Sequence, residues 1–147
     1  MTINIRQNND SSGGLQGTDG DDGAFIVLNF PYSTNTNTVG AFLTSSSAVF
    51  SRRMIVKSII AVVDSAATNV VTASLFKAAS GVALGAGVAL HTGTVNLQGA
   101  AGTNQVVALA TLASTVDVAA GSRIGFVISG ALGVAGNGLI TVTLAPA

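Results

Sequence analysis

The sequence predicts an all-β protein, an antiparallel β-sandwich preceded by an extended N-terminal arm. Three observations predict it. From residue 24 onward, short runs rich in Val and Ile recur at roughly 8–14-residue spacing, separated by Gly, Asn and Ser. Several of these runs alternate large apolar with small or polar side chains, the period-two pattern of a half-buried strand. Glu is absent, and Lys and Arg together number six, so the apolar pieces lack the charged helix formers that would decorate an amphipathic helix.

Composition narrows the function classes. The 147 residues fit one domain, and 8% of them are charged, against about 25% in an ordinary soluble domain. The net charge is zero, so no global field draws in nucleic acid, an anionic membrane or an acidic substrate. A neutral, charge-poor surface offers little opposition to contact with other protein. Ala78 to Val116 carries no charge, yet Gly81, Gly85, Gly87, His91, Gly93, Asn96, Gln98 and Gly99 interrupt it, and Ser129, Asn137, Thr141 and Thr143 interrupt Ile124 to Ala147. Neither stretch gives the roughly 20 apolar residues of a spanning helix. Met1 to Asp10 has no apolar h-region, so no signal peptide is expected. The lack of Cys excludes disulfides and thiolate metal sites.

The elements follow in chain order. Residues 1–23 set Arg6 against Asp10, Asp19, Asp21 and Asp22, one positive and four negative charges, and are otherwise made of turn and linker residues. They read as an extended arm in which Ile3 and Ile5 fit a short edge strand. The body, 24–147, carries five basic and two acidic side chains, leaving it at +3 against −3 for the arm. Candidate strands are 24–30, 39–43, 53–63, 70–77, 82–90, 93–97, 105–112, 122–129 and 138–144, with a polar loop at 33–38. In the last, Ile140, Val142 and Leu144 alternate with Thr141 and Thr143; Ile124, Phe126 and Ile128 alternate similarly with Gly125 and Ser129. Met54 to Val63 is apolar on both faces (Met54, Val56, Ile60 and Val62 against Ile55, Ile59, Ala61 and Val63), as suits a sandwich centre or a subunit contact. Val106 to Ala113 reads as strand rather than helix because Thr111, Ser114 and Thr115 close it quickly. Ala83 to Gly87 echoes Ala131 to Gly136, and both look like hairpin turns. Phe25, Phe30, Phe42, Phe50, Phe76 and Phe126 lie inside apolar runs and are expected in the core.

Few residues here suit catalysis. A nucleophilic triad could use only His91, with Asp64 or Asp117 as orienting group, and no nucleophile elbow, Walker loop, dinucleotide fingerprint or zinc-protease helix occurs. His91, between Leu90 and Thr92-Gly93, reads as an ordinary turn residue. The expectation is therefore no enzyme, no cofactor and no small-molecule substrate. Asp19, Asp21 and Asp22 could hold a hard cation through oxygen, but the EF-hand spacing fails and its closing Glu is missing, so a solvated acidic loop is the simpler reading. Arg52, Arg53 and Lys57 form the basic cluster, with 53, 55 and 57 on one strand face; it is too small and too poor in aromatics for a nucleic-acid groove. It reads either as a solvated strand end or as one half of an ion-paired contact with Asp19, Asp21 and Asp22 of a neighbouring subunit's arm. Tyr32, after Pro31, could display its ring at a loop tip, though with no Trp in the chain this is a thin basis for a sugar platform.

The segments Ile59 to Asp64, Thr92 to Gly99, Val118 to Ile128 (with its Ala120-Gly121-Ser122-Arg123-Ile124-Gly125 turn) and Ile140 to Pro146 resemble small virion proteins of tailed bacteriophages. The closest type is the capsid decoration or cement protein, and the resemblance covers roughly residues 54–147, about two-thirds of the chain. It implies a jelly-roll-like body, homotrimers near local threefold axes of the capsid exterior, and terminal arms that reach adjacent major capsid proteins. The implied function is to stabilise an assembled shell by bridging its subunits, the protein being made in the host cytoplasm and resident on the virion. The alternative is a receptor-binding or fibre module that recognises a host glycan or protein, using loops such as 31–38. A nucleic-acid-packaging coat is disfavoured, since phosphate neutralisation requires clustered Lys and Arg.

Overall fold

The computed structural model describes residues 25–33, 41–43, 52–130 and 136–147, the backbone alone for 41–43. The arm, the loop residues 34–40, Phe50 and the 131–135 part of the echoed turn lie outside the described residues.

Among the described residues, ten strands form two antiparallel sheets. They are β1 (Ile26–Tyr32), β2 (Ala41–Leu43), β3 (Met54–Ser65), β4 (Thr72–Ala78), β5 (Val88–Ala89), β6 (Val95–Asn96), β7 (Thr103–Val106), β8 (Asp117–Val118), β9 (Arg123–Ser129) and β10 (Asn137–Pro146). A 3₁₀ turn at Leu84–Ala86 and a single helical turn, α1 (Ala113–Val116), complete the described elements. The first sheet runs β1-β10-β3-β7, with β8 also on β3; the second runs β2-β9-β4-β5, with β6 also on β4.

This order is a folded-over ribbon. The first strand pairs with the last, β2 with β9, β3 with β7 and β8, and β4 with β5 and β6, all antiparallel. Wrapping that ribbon brings β10 against β3 and β9 against β4, which closes the two sheets. The result is a jelly-roll-like sandwich, two nested Greek keys packed as two sheets. Among the described residues no helix is long and apolar enough to cross a membrane.

Alternation fills the core. Leu28, Phe30, Ile59, Ala61, Ile140 and Val142 from the first sheet meet Ala73, Leu75, Ile124, Phe126 and Ile128 from the second, all buried. The rings of Phe30 and Phe126 meet edge to face across the sheets, centroids 5.9 Å apart at 82°. Burial stabilises each by roughly 1.5–3 kcal/mol, and the ring geometry adds about 0.5–1.5 kcal/mol. Three tight turns share one sequence form, Ala79-Ser80-Gly81-Val82, Ala100-Ala101-Gly102-Thr103 and Ala119-Ala120-Gly121-Ser122. In each, the fourth N–H donates to the first carbonyl and the glycine takes a φ of +74° to +83°, which a side chain disfavours.

Several expectations need correction. The face assignment of 54–63 fails at Lys57. Val56 pairs with Leu144 and Ser58 with Thr143, so Lys57 is an extra residue in β3, a bulge that turns its ammonium to solvent. The inward set becomes Met54, Val56, Ile59, Ala61 and Val63, and Ile55, Ile60 and Val62 face outward. Asp64 is a second extra residue, between Val63↔Gly138 and Ser65↔Asn137. The strand expected over 82–90 shrinks to Val88–Ala89 behind the 3₁₀ turn; that over 105–112 shifts to Thr103–Val106, with α1 beyond it, and β8 was not anticipated. Phe25 is 62% exposed before β1, and Phe76 is half-buried on the outer side of β4, so neither belongs to the core. Tyr32 is buried as the last residue of β1, not displayed at a loop tip, because the period-two alternation of Leu28 and Phe30 carries it inward.

Candidate binding surface

The outer faces of the two sheets differ. On the second, the 3₁₀ turn folds back over β9 and β4: a Cβ built at Gly85 would lie 3.7 Å from Val127, Leu84 is buried, and Arg123 donates a hydrogen bond to the Val82 carbonyl. On the first, rows of outward side chains cross four strands. Pro31, Leu139, Val62 and Asn104 form one row; Asn29, Thr141, Ile60 and Val106 form the next, with the Thr141 hydroxyl 3.0 Å from Asn29 Oδ1. Val27, Thr143 and Ser58 form a third. Val106 is 80% and Val27 54% exposed, while Ile60, Val62 and Leu139 are half-buried. The charged side chains that β3 contributes outside the core are Lys57 and Asp64, both exposed and both at the bulges that bound the apolar run. Apolar side chains on this face are thus interleaved with Asn29, Thr141 and Asn104, with charge at the margins, a mixed composition that a contact surface can have.

The basic candidates occupy different settings. Arg53 makes a two-pronged contact with Asp117: Nε lies 2.9 and 3.0 Å from the two carboxylate oxygens and Nη2 lies 2.6 Å from Oδ2. That pairing raises the guanidinium's pKa and holds the Asp117 carboxyl below its ordinary range. Lys77 reaches from β4 across the open end of the sandwich. Its ammonium donates to the Ser114 carbonyl (2.6 Å) and to the Asp117 carbonyl, and partial burial lowers its pKa while Asp117 opposes the shift. Lys77, Asp117 and Arg53 therefore form a clasp joining β4, α1, β8 and the start of β3. Arg52 is exposed beside it, and Lys57 projects to solvent without an ion pair to any described residue. Asp19, Asp21 and Asp22 lie outside the described residues. Among the described residues, no three His, Cys, Asp or Glu side chains gather as a metal site would require.

Two buried polar side chains were not recognised from sequence as such. His91 is only 6% exposed, and its Nε2 accepts a hydrogen bond from the Leu75 backbone N–H at 2.9 Å. Burial lowers the imidazole's pKa; the backbone of Thr92 and Gly93 works the other way but gives Nδ1 no well-formed hydrogen bond. The available signal was a lone imidazole inside an uncharged stretch flanked by Leu90, which the turn-like Thr92-Gly93 obscured. The Tyr32 hydroxyl is buried without a partner among the described residues, and burial, assisted by Asp64, pushes its pKa up to about 12. Gln105 joins the sheets: its Oε1 accepts from the Asn96 N–H at 3.1 Å and its Nε2 donates to the Asn96 carbonyl.

No protein-family model, curated protein or solved structure matches this chain.

Proposed function

We propose that this protein is a structural component of a tailed-phage virion that docks on the exterior of the assembled capsid and bridges major capsid subunits. The observation that carries the proposal is the outward face of β1-β10-β3-β7, where half-buried Ile60, Val62 and Leu139 and the 80%-exposed Val106 lie together among Asn and Thr side chains, on a body with very few charges. The jelly-roll topology and the sequence resemblance support the same reading. In it the protein acts by contact rather than by chemistry, as a trimer whose acidic arm, residues 1–23, meets the net-basic body of a neighbour. An ordinary interface buries about 1,600 Å² in total, and repetition over a symmetric shell converts modest single contacts into firm attachment. Tyr32 is buried and so offers no ring face to a glycan.

The test is co-sedimentation of the purified protein with capsids that lack decoration. Wild type is expected to sediment with the shells. Val106→Asp, which alters a side chain already mostly in water, is expected to weaken that binding about tenfold or more, because a carboxylate would be trapped in an apolar contact. No wild-type binding would sink the capsid reading. Undiminished binding by Val106→Asp would move the contact to another face.

A further inference from the structure

The edge of β4 that faces away from β9 is paired in two patches. Phe76 and Lys77 pair with β5, and Thr72 and Ala73 pair with β6, leaving Ser74 and Leu75 in a gap. At Leu75 the carbonyl is used, accepting from the Leu90 N–H at 2.9 Å. In an antiparallel ladder the N–H of the same residue points to the same side and needs an acceptor there. The chain has turned away after Leu90, and the acceptor at that place is the imidazole of His91, not a carbonyl. Leu75 is fully buried, so water cannot take over the role.

That bond fixes a protonation state. A nitrogen that accepts must hold a free lone pair, so Nε2 is bare and the ring proton sits on Nδ1. A proton added at Nε2 would set two N–H groups head to head and place a charge in a buried site. Few groups are placed to offset it. On β4 the ionisable side chain is Lys77, directed at the Ser114 and Asp117 carbonyls; residues 88–92 and 107–110, which pack against the imidazole's segment, carry no other ionisable group. Asp117, beside Lys77, is already engaged by Arg53, and Lys57 on β3 faces solvent. The same segment also fastens the sheets together. Ala110 N–H donates to the Leu90 carbonyl and Thr92 N–H to the Ala108 carbonyl, each at 3.0 Å, and Val107 N–H reaches the Ile59 carbonyl of β3 at 2.9 Å.

We propose that His91 is an acid-released latch: neutral, it closes the gap in the β4 ladder, and a proton on Nε2 frees residues 88–96 from that edge. The proposal stands apart from the capsid reading, since it concerns one chain. The sign follows from linkage. The closed form excludes the proton and the open form binds it near the ordinary histidine value of about 6.5, so opening is independent of pH above that value and is favoured about tenfold per pH unit below it, until the closed form also titrates.

The experiment is amide exchange by NMR on the full chain between pH 8 and 5, corrected for the intrinsic pH dependence, together with imidazole nitrogen shifts. Leu75 and Leu90 should lose protection about tenfold per unit below about pH 6.5, Val142 in β10 should not share the slope, and the ring should carry its proton on Nδ1 at neutral pH. His91→Gln, whose side-chain carbonyl can accept but does not titrate, should flatten the Leu75 slope. A wild-type Leu75 amide with no such slope would overturn the proposal, as would a proton on Nε2 at neutral pH. An unchanged slope in a folded His91→Gln protein would do so too; if that variant does not fold, the two wild-type readouts still decide.

Discussion

The two edges of β4 and the flanks of β3 solve the same problem in different ways. Against β10, β3 is laddered from Met54 to Ser65 with two interruptions, each an extra charged residue turned out to solvent. The outer edge of β4 is covered by two-residue strands and completed by side chains: His91 stands in for a carbonyl at Leu75, and the Gln105 amide links β6 to β7 much as a peptide group would. Where the chain can run straight, backbone satisfies backbone and side chains are free to pack. Where it must cross between sheets, polar side chains are drawn inside to finish the ladder. The first arrangement is closed by backbone bonds along its length; the second depends on two side chains, His91 and Gln105, at its gaps.

The largest way to break this comparison is to disturb the long ladder itself. A Cβ at Gly138 would lie 2.1 Å from the Val62 carbonyl oxygen and 2.5 Å from the Tyr32 hydroxyl. Gly138→Leu is therefore expected to destabilise by about 4 kcal/mol or more, enough to unfold a domain of this size, as read by urea denaturation. Adding Tyr32→Phe should not rescue it, because the nearer obstacle is backbone. A stable Gly138→Leu protein would mean that β3 and β10 can separate without loss, and the contrast drawn between the two edges would fail.

A middle-sized effect distinguishes packing from polarity at the end of the same ladder. Tyr32 contributes its ring to the core but no well-formed hydrogen bond from its hydroxyl. Tyr32→Phe should thus be within about 1 kcal/mol of wild type at neutral pH, or slightly more stable, since it removes a polar atom that has no described partner. The difference should emerge in alkali. The unfolded tyrosine ionises near 10 and the folded one at about 12, so its contribution is fully present below pH 10 and is lost as pH rises toward 12. Denaturation midpoints of wild type should fall faster than those of Tyr32→Phe over that interval. Parallel curves would place the hydroxyl in water.

Much of the first sheet and little of the second's free edge was legible in the sequence, and the reason is physical. Ile140 to Leu144 and Ile124 to Ile128 keep period two over several residues because each has one buried face, so pattern alone identifies them as strands. β5, β6 and β8 are two residues long, too short to show any period. The faces of β3 were misread because a bulge shifts alternation by one, and an apolar run such as Ile59 to Val63 gives no hint which side is in. His91 and Gln105 were invisible as structural residues because their partners are backbone groups 16 and 9 positions away, fixed only by the path of the fold. Of the candidate contact residues, Lys57 keeps the exposure expected of it, whereas Tyr32 does not, for its place was decided by strand length rather than by its neighbours in sequence.

The smallest expected effect lies in the clasp. Arg53 and Asp117 meet in good geometry but at the surface, where solvent screens the attraction and two side chains must be ordered to make it. Asp117→Asn leaves the Asp117 backbone carbonyl in place for Lys77, so the crossing from β4 to β8 should survive and only the charge pair should go. The depressed carboxyl gives stability that is present above the ordinary aspartate value of about 3.9 and is lost as pH falls through the lower folded value. Wild type and Asp117→Asn should therefore differ slightly at neutral pH and low salt, and converge both in high salt and in acid. Lys77→Met should cost more than Asp117→Asn, because it removes both bonds by which the ammonium ties β4 to α1 and β8. The reverse order, measured by thermal unfolding, would make the surface ion pair, rather than the lysine crossing between sheets, the tie that closes this end of the sandwich.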